Sequence, residues 1–212
     1  MASYNKKVKT TRNEIVINGI NQYATPILTD NPETNWRFNG SVSKKIYRFN
    51  LKLNTSLSGF NYTQNLNNNL TTNDRTNQNF GVTLRTVFKK WPDFSLEYNK
   101  GFSQFSGITE NKYQNEGINS DVEFTIKKFF TFKFEYENLK NTNSSNQSNF
   151  YDIASVSLRY QKKNSPYGFE LFANNLFDNR IKNDFSFSDY MISETRTYVL
   201  PRVVMISLSY KL

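Results

Sequence analysis

The sequence predicts an all-β protein, a transmembrane antiparallel up-and-down β-barrel of about ten strands that forms part of a larger barrel. Three observations predict it. Apolar and polar residues alternate along most of the chain. Four Lys-Lys pairs, Lys44-Lys45, Lys89-Lys90, Lys127-Lys128 and Lys162-Lys163, punctuate that alternation at gaps of 45, 38 and 35 residues. Each pair is followed by an aromatic residue (Tyr47, Trp91, Phe129 with Phe130, Tyr167), as a hairpin repeated with a basic-aromatic corner would be. Third, these short corners alternate with long polar links, and membrane barrels sort their connections in that way.

The last strand is the clearest. From Val204 the even positions read Val, Ile, Leu, Tyr and Leu to Leu212, and the odd ones end in Ser207, Ser209 and Lys211. A strand turns successive side chains to opposite sides, so one face of this one is wholly apolar. The same parity holds upstream. Trp36, Phe38 and Val42 share a side, as do Phe49, Leu51, Leu53 and Leu57. Phe80, Val82, Leu84 and Phe88 follow, then Phe94, Leu96, Tyr98 and Phe102. Ile118, Val122, Phe124 and Ile126 form the next set, and Phe132, Phe134 and Tyr136 the one after. Val156, Leu158 and Tyr160 precede Tyr167, Phe169 and Leu171. A less regular run, Glu14 to Tyr23, is expected to add one strand at the start, making ten. Several reach the nine to eleven residues a tilted strand needs to cross a bilayer.

Five links are expected to be long polar loops: Thr25–Glu33, Thr63–Asn77, Phe105–Glu116, Lys140–Asn149 and Asp178–Thr195. They are rich in Asn, Thr, Ser and Asp, which favour turns. No linker divides residues 1–212, so a single barrel domain is expected. Met1 to Lys7 leads into no apolar stretch of the signal-peptide kind, and a piece of a longer protein is the expectation.

Composition narrows the function classes. Hydrophobic residues make up 37% and aromatics 16%, too many rings for a disordered chain. There is no run of about 18 apolar residues, hence no transmembrane helix. With no cysteine and no histidine, thiol chemistry, disulfides, common zinc sites and a Ser-His-Asp triad are excluded. The net charge of +9 comes from basic residues at turns or scattered, without a dense tract, which argues against nucleic acid as a partner. The charged residues that carry any lumen function are Lys52, Arg85, Glu97, Glu123, Lys133, Glu135, Glu137, Arg159 and Glu170, on the polar sides of their strands. They line a wet channel, form salt bridges to a plug, or form a structural ladder of cross-strand ion pairs. No catalytic, cofactor or metal residue stands out, so no enzyme and no cofactor is expected, and the substrate-binding residues stay unassigned.

The stretch Phe169-Glu170-Leu171-Phe172-Ala173-Asn174-Asn175-Leu176-Phe177-Asp178-Asn179 resembles the penultimate strand of TonB-dependent outer-membrane receptors. The closing segment Pro201-Arg202-Val203-Val204-Met205-Ile206-Ser207-Leu208-Ser209-Tyr210-Lys211-Leu212 is similar to their last strand, with Leu212 where Phe is usual. The Asn/Lys/Phe-rich style is similar to the SusC-like receptors of Bacteroidetes. The resemblance implies a cell outer-membrane location and uptake of a nutrient such as a siderophore, glycan or peptide. It implies outer-membrane lipid, TonB acting through an N-terminal plug, and a surface lipoprotein as partners. The family's plug and about half of its roughly 22 strands have no counterpart here, so it implies a C-terminal portion. A small stand-alone barrel with a structural or adhesive role is the alternative.

Overall fold

The computed structural model describes residues 1–18, 21–86, 92–187 and 192–211. Fourteen strands and no helix occur among them. They are β1 (Ala2–Lys7), β2 (Thr10–Asn18), β3 (Asn21–Thr29), β4 (Glu33–Ile46), β5 (Phe49–Leu66), β6 (Asn69–Thr86) and β7 (Asp93–Ser106). Then come β8 (Glu110–Ile126), β9 (Phe130–Thr142), β10 (Ser148–Gln161), β11 (Tyr167–Asn174), β12 (Ile181–Phe187), β13 (Ile192–Tyr198) and β14 (Val203–Tyr210). Ten of them form one antiparallel path, β1-β4-β5-β6-β7-β8-β9-β10-β11-β14. From β4 to β11 each strand pairs with its neighbour in sequence, the up-and-down order. The path is open, with β1 and β14 as its edges.

The register carries the alternation from strand to strand. Val42 faces Leu53, Leu53 faces Val82 and Val82 faces Tyr98. Farther along, Val122 faces Phe134, Phe134 faces Val156, Val156 faces Ala173 and Ala173 faces Val204. Every apolar set read from sequence within the described residues therefore lands on one side. A slip of one residue in any ladder would have turned that strand's set to the other face. Aromatic rings gather at one end of this apolar face: Phe130 meets Tyr160 in a tilted contact with ring centres 5.0 Å apart, and Tyr167 meets Tyr210 at 5.3 Å.

The structure corrects several expectations. Glu14 to Tyr23 is not one strand but the central half of the hairpin β2–β3, with Asn18 opposite Asn21. Asn18 ends β2 and Asn21 begins β3, and residues 19 and 20 lie outside the described residues. The tenth strand of the path is instead β1, a polar segment that pairs with β4. Three of the expected loops are mostly strand, and a fourth, Lys140–Asn149, is half strand. β5 and β6 run on to Leu66 and Asn69, and only Asn67 and Asn68 turn, both with positive φ. Asn tolerates that left-handed conformation, so a two-residue hairpin turn closes there. In the same way only residues 30–32, 107–109 and 143–147 separate β3 from β4, β7 from β8 and β9 from β10. Backbone pairing does not require apolar side chains, and these extensions are mostly polar even where residues such as Gln64, Asn73 and Asn141 are buried. The fifth, Asp178–Thr195, holds β12 and most of the hairpin it makes with β13. Hence long and short loops do not alternate; long and short strand overhangs do.

The Lys-Lys corners hold in part. Lys127 and Lys128 do turn, both at positive φ, closed by the Phe129 N–H donating to Ile126 O at 3.2 Å. Lys162 and Lys163 lie in the five-residue link before β11. Lys44 and Lys45 belong to β4 instead, and the chain turns at Tyr47-Arg48. Phe88, the corner Lys89-Lys90-Trp91 and the terminal Leu212 lie outside the described residues.

Candidate functional site

The candidate site is the face opposite the apolar one. All nine charged residues singled out from sequence lie on it. Lys52 pairs with Thr83 and Ser43, Arg85 with Asn50 and Ser95, and Glu97 with Thr83 and Asn119. Glu123 stands opposite Lys133, Glu135 opposite Asp121, Glu137 opposite Asn119, and Arg159 opposite Glu170. The strands alone fix this: a period of two places them on one side, and the register aligns the sides.

The geometry joins some of these residues and not others. Lys133 Nζ donates to Glu135 Oε1 at 2.5 Å along one strand. Arg85 Nε donates to Ser95 Oγ at 3.1 Å, and Asn99 Nδ2 to Glu97 Oε1 at 2.8 Å. Polar partners thus share the face with charged ones, and it is a mixed polar surface more than a ladder of ion pairs. Glycines let its amides lie flat. A Cβ on Gly101 would come 2.0 Å from Asn115 Oδ1, and one on Gly81 would come 2.5 Å from Asn54 Nδ2. Among the described residues, no group of three acidic side chains is placed to hold a metal ion.

Two hairpins cover this face at its polar end; sequence reasoning read part of the first as a single strand and the second as a long loop. β2–β3 touches β5 where Ile15 meets Leu66. Arg12 donates to Glu33 Oε1, and its guanidinium lies 4.0 Å from the Tyr62 ring centre and 5.1 Å from that of Phe60. Tyr62 is 4% exposed, and Asn73 and Phe105 are buried beside it in the register. The signal was present. Apolar residues in β5 occupy odd positions from Phe49 to Leu57, then even ones at Phe60 and Tyr62. In β7 the change runs from the even Phe102 to the odd Phe105. Each change of parity moves the apolar side chain to the other face, where Phe60 and Tyr62 lie beneath Arg12 of the β2–β3 hairpin and Phe105 is buried.

The hairpin β12–β13 covers the same end from the other flank. Lys182 Nζ reaches Glu137 Oε1 at 3.8 Å and lies 5.3 Å from the Tyr151 ring centre. Asn141 Nδ2 donates to the Asn183 carbonyl at 3.4 Å. Its base is knotted by the segment Asn174 to Asn179. The fully buried Asn175 donates through Nδ2 to the carbonyls of Asn179 at 2.7 Å and Leu200 at 2.8 Å. It accepts at Oδ1 from the Asn179 N–H. Asp178 Oδ1 accepts from the Arg202 N–H at 2.9 Å, and Arg180 pairs with its other oxygen at 3.1 Å. Those two donors, the backbone amide first, hold the Asp178 carboxyl below the usual carboxylate range. Both Asn175 and Asp178 have positive φ, which their short polar side chains tolerate.

Comparison with known proteins finds no matching family model, no matching curated protein and no matching solved structure.

Proposed function

We propose that the chain is the wall of a β-barrel in a bacterial outer membrane, its apolar face against lipid and its polar face toward a wet lumen. One observation carries the reading: among the described residues the apolar face has no partner layer. Leu53, Leu171 and Ile206 are 43%, 47% and 80% exposed, and Val42, Val82, Leu158 and Leu208 on that face are exposed as well. The chain exposes 14700 Å² at 24.9 kDa. A water-soluble protein of that mass would expose about 10,200 Å². Contiguous apolar patches on soluble monomers stay near 300–600 Å², whereas exposed apolar side chains occur on this face in each strand of the path from β4 to β14. Hydrocarbon is the solvent such a face suits.

Dimensions agree. The apolar stretch of β5, Phe49 to Leu57, covers nine residues. At about 3.4 Å per residue and a tilt of about 40° it would span roughly 23 Å, close to the apolar band of about 25 Å in outer-membrane barrels. The rings at the band's end fit an interfacial girdle.

The C-terminal resemblance extends the proposal to uptake. In that form the sheet belongs to a TonB-dependent receptor wall, and Glu97, Glu135 and their neighbours line the path of a siderophore, glycan or peptide. Energy would arrive from TonB through a plug, and a surface lipoprotein would meet the mouth. The even strand count and the hairpins already lying over the polar face favour a second form, a small barrel with a structural or adhesive role.

The test is reconstitution into phosphatidylcholine vesicles, followed by flotation and gel mobility with and without boiling. The expected result is a β spectrum, co-flotation and a band that shifts on heating. A stable, monodisperse monomer in detergent-free buffer would overturn the membrane reading.

A further inference from the structure

We infer that the two free edges are partners: β14 pairs antiparallel with β1 and closes the ten-strand path into a barrel with a stagger of 12 or 14 residues. The inference rests on the membrane reading above and selects the smaller of its two forms.

Direction comes first. Ten strands alternate along the path, so β1 and β14 run opposite ways. Hydrogen-bond phase comes next. Met1 and Asn39 exchange both backbone bonds, so the odd residues of β1 bond inward to β4. The N–H and C=O groups of Ala2, Tyr4 and Lys6 then point out of the edge. In β14 the Lys211 N–H bonds inward to Pro166 O, which leaves Val204, Ile206, Leu208 and Tyr210 pointing outward. The outward residues of both edges lie on the apolar face, so bonding phase and side-chain face match together. No proline interrupts either strand.

The stagger is the quantitative part. Cross-strand partners carry Lys44 through Leu51, Leu84, Leu96, Ser120 and Tyr136 to Ala154. Two residues on, Val156 continues to Ala173 and Val204. Ala2 faces Phe38, six residues up β4 from Lys44. Ala2 thus stands eight rows above Val204. Pairing Ala2 with Leu208 makes the stagger 12, and pairing it with Tyr210 makes it 14. Either register gives all six residues of β1 a partner within β14. The odd value between them would turn the apolar face of one strand inward. With about 3.4 Å per residue and 4.8 Å between strands, these staggers correspond to tilts of about 40° and 45°. Barrels close at about 35–45°. The ladder therefore carries the offset that a ten-strand ring needs.

The test uses the absence of native cysteine. Ser3 and its partner in β14 would form a non-hydrogen-bonded pair, with Cα atoms about 4.5 Å apart, within disulfide reach. Ser3→Cys is combined with Ser207→Cys for a stagger of 12, and with Ser209→Cys for 14. Each double variant of the full chain is reconstituted in vesicles and oxidised. The expected result is a reducible, faster-migrating monomer for one pair and little bond formation for the other. A disulfide-linked dimer means the edges pair between copies and overturns the closure. Free thiols in both variants, in chains that float and shift on heating, overturn it too while leaving the membrane reading intact. Free thiols in chains that do not float overturn both.

Discussion

Leu53→Arg separates a lipid-facing sheet from any water-facing one. Leu53 lies mid-band in β5, between Val42 and Val82, and is 43% exposed. In water, a side chain already half exposed loses little on replacement: about half of the 1.5–3 kcal/mol for full burial, near 1 kcal/mol. Facing hydrocarbon at the bilayer midplane, an arginine costs about 2–4 kcal/mol. At 1.4 kcal/mol per tenfold, that shifts the folded-to-unfolded ratio roughly 30- to 700-fold. The control is Ser41→Arg, an exposed polar-face position next to Val42, expected to stay within about 0.5 kcal/mol. Urea unfolding in phosphatidylcholine vesicles, followed by tryptophan fluorescence, gives both values. Equal destabilisation by the two variants, or silence at Leu53, would refute the assignment of faces.

Three further outcomes follow from the hairpins and their knot. Arg12→Ala strands Glu33, whose side chain is 10% exposed, without its cation. Breaking a buried pair costs about 3–5 kcal/mol, so amide exchange in β2 and β3 should speed up while that of β8 and β9 holds; uniform acceleration would contradict a local role. Asn175→Ala removes two donors and one acceptor from a fully buried site. A loss of about 1–3 kcal/mol is expected, read as faster proteolysis between 179 and 201. For Asp178 the folded carboxyl titrates below its unfolded value. Its stabilisation is therefore fully present above the ordinary carboxylate range and is lost as pH falls through the lowered value. Cleavage of the β12–β13 hairpin should rise with acidification there, and Asp178→Asn should flatten that rise; a variant with the same pH profile would exclude Asp178 as the titrating group.

The sequence by itself determined the strand interiors, because a period of two is a local property of the chain. Each apolar set from Trp36 to Tyr210 could be read without knowing its neighbour. Local alternation also put Lys52, Arg85, Glu135 and the other charged candidates opposite the apolar residues of their own strands. Only tertiary structure decided that those sides align into one face, since register is a relation between strands. The polar overhangs were illegible for another reason. Where polar residues occupy both faces, nothing in side-chain polarity distinguishes a paired strand from a loop, so β5 and β6 looked shorter than they are. The inward hairpins were half visible, in the parity changes at Phe60 and Phe105, but what those rings pack beneath is a contact between segments distant in the chain. The partnership of Arg12 with Glu33, and of Asn175 with Leu200, is of the same kind: the sequence supplies the donors and acceptors, and the folded sheet brings them within bonding distance.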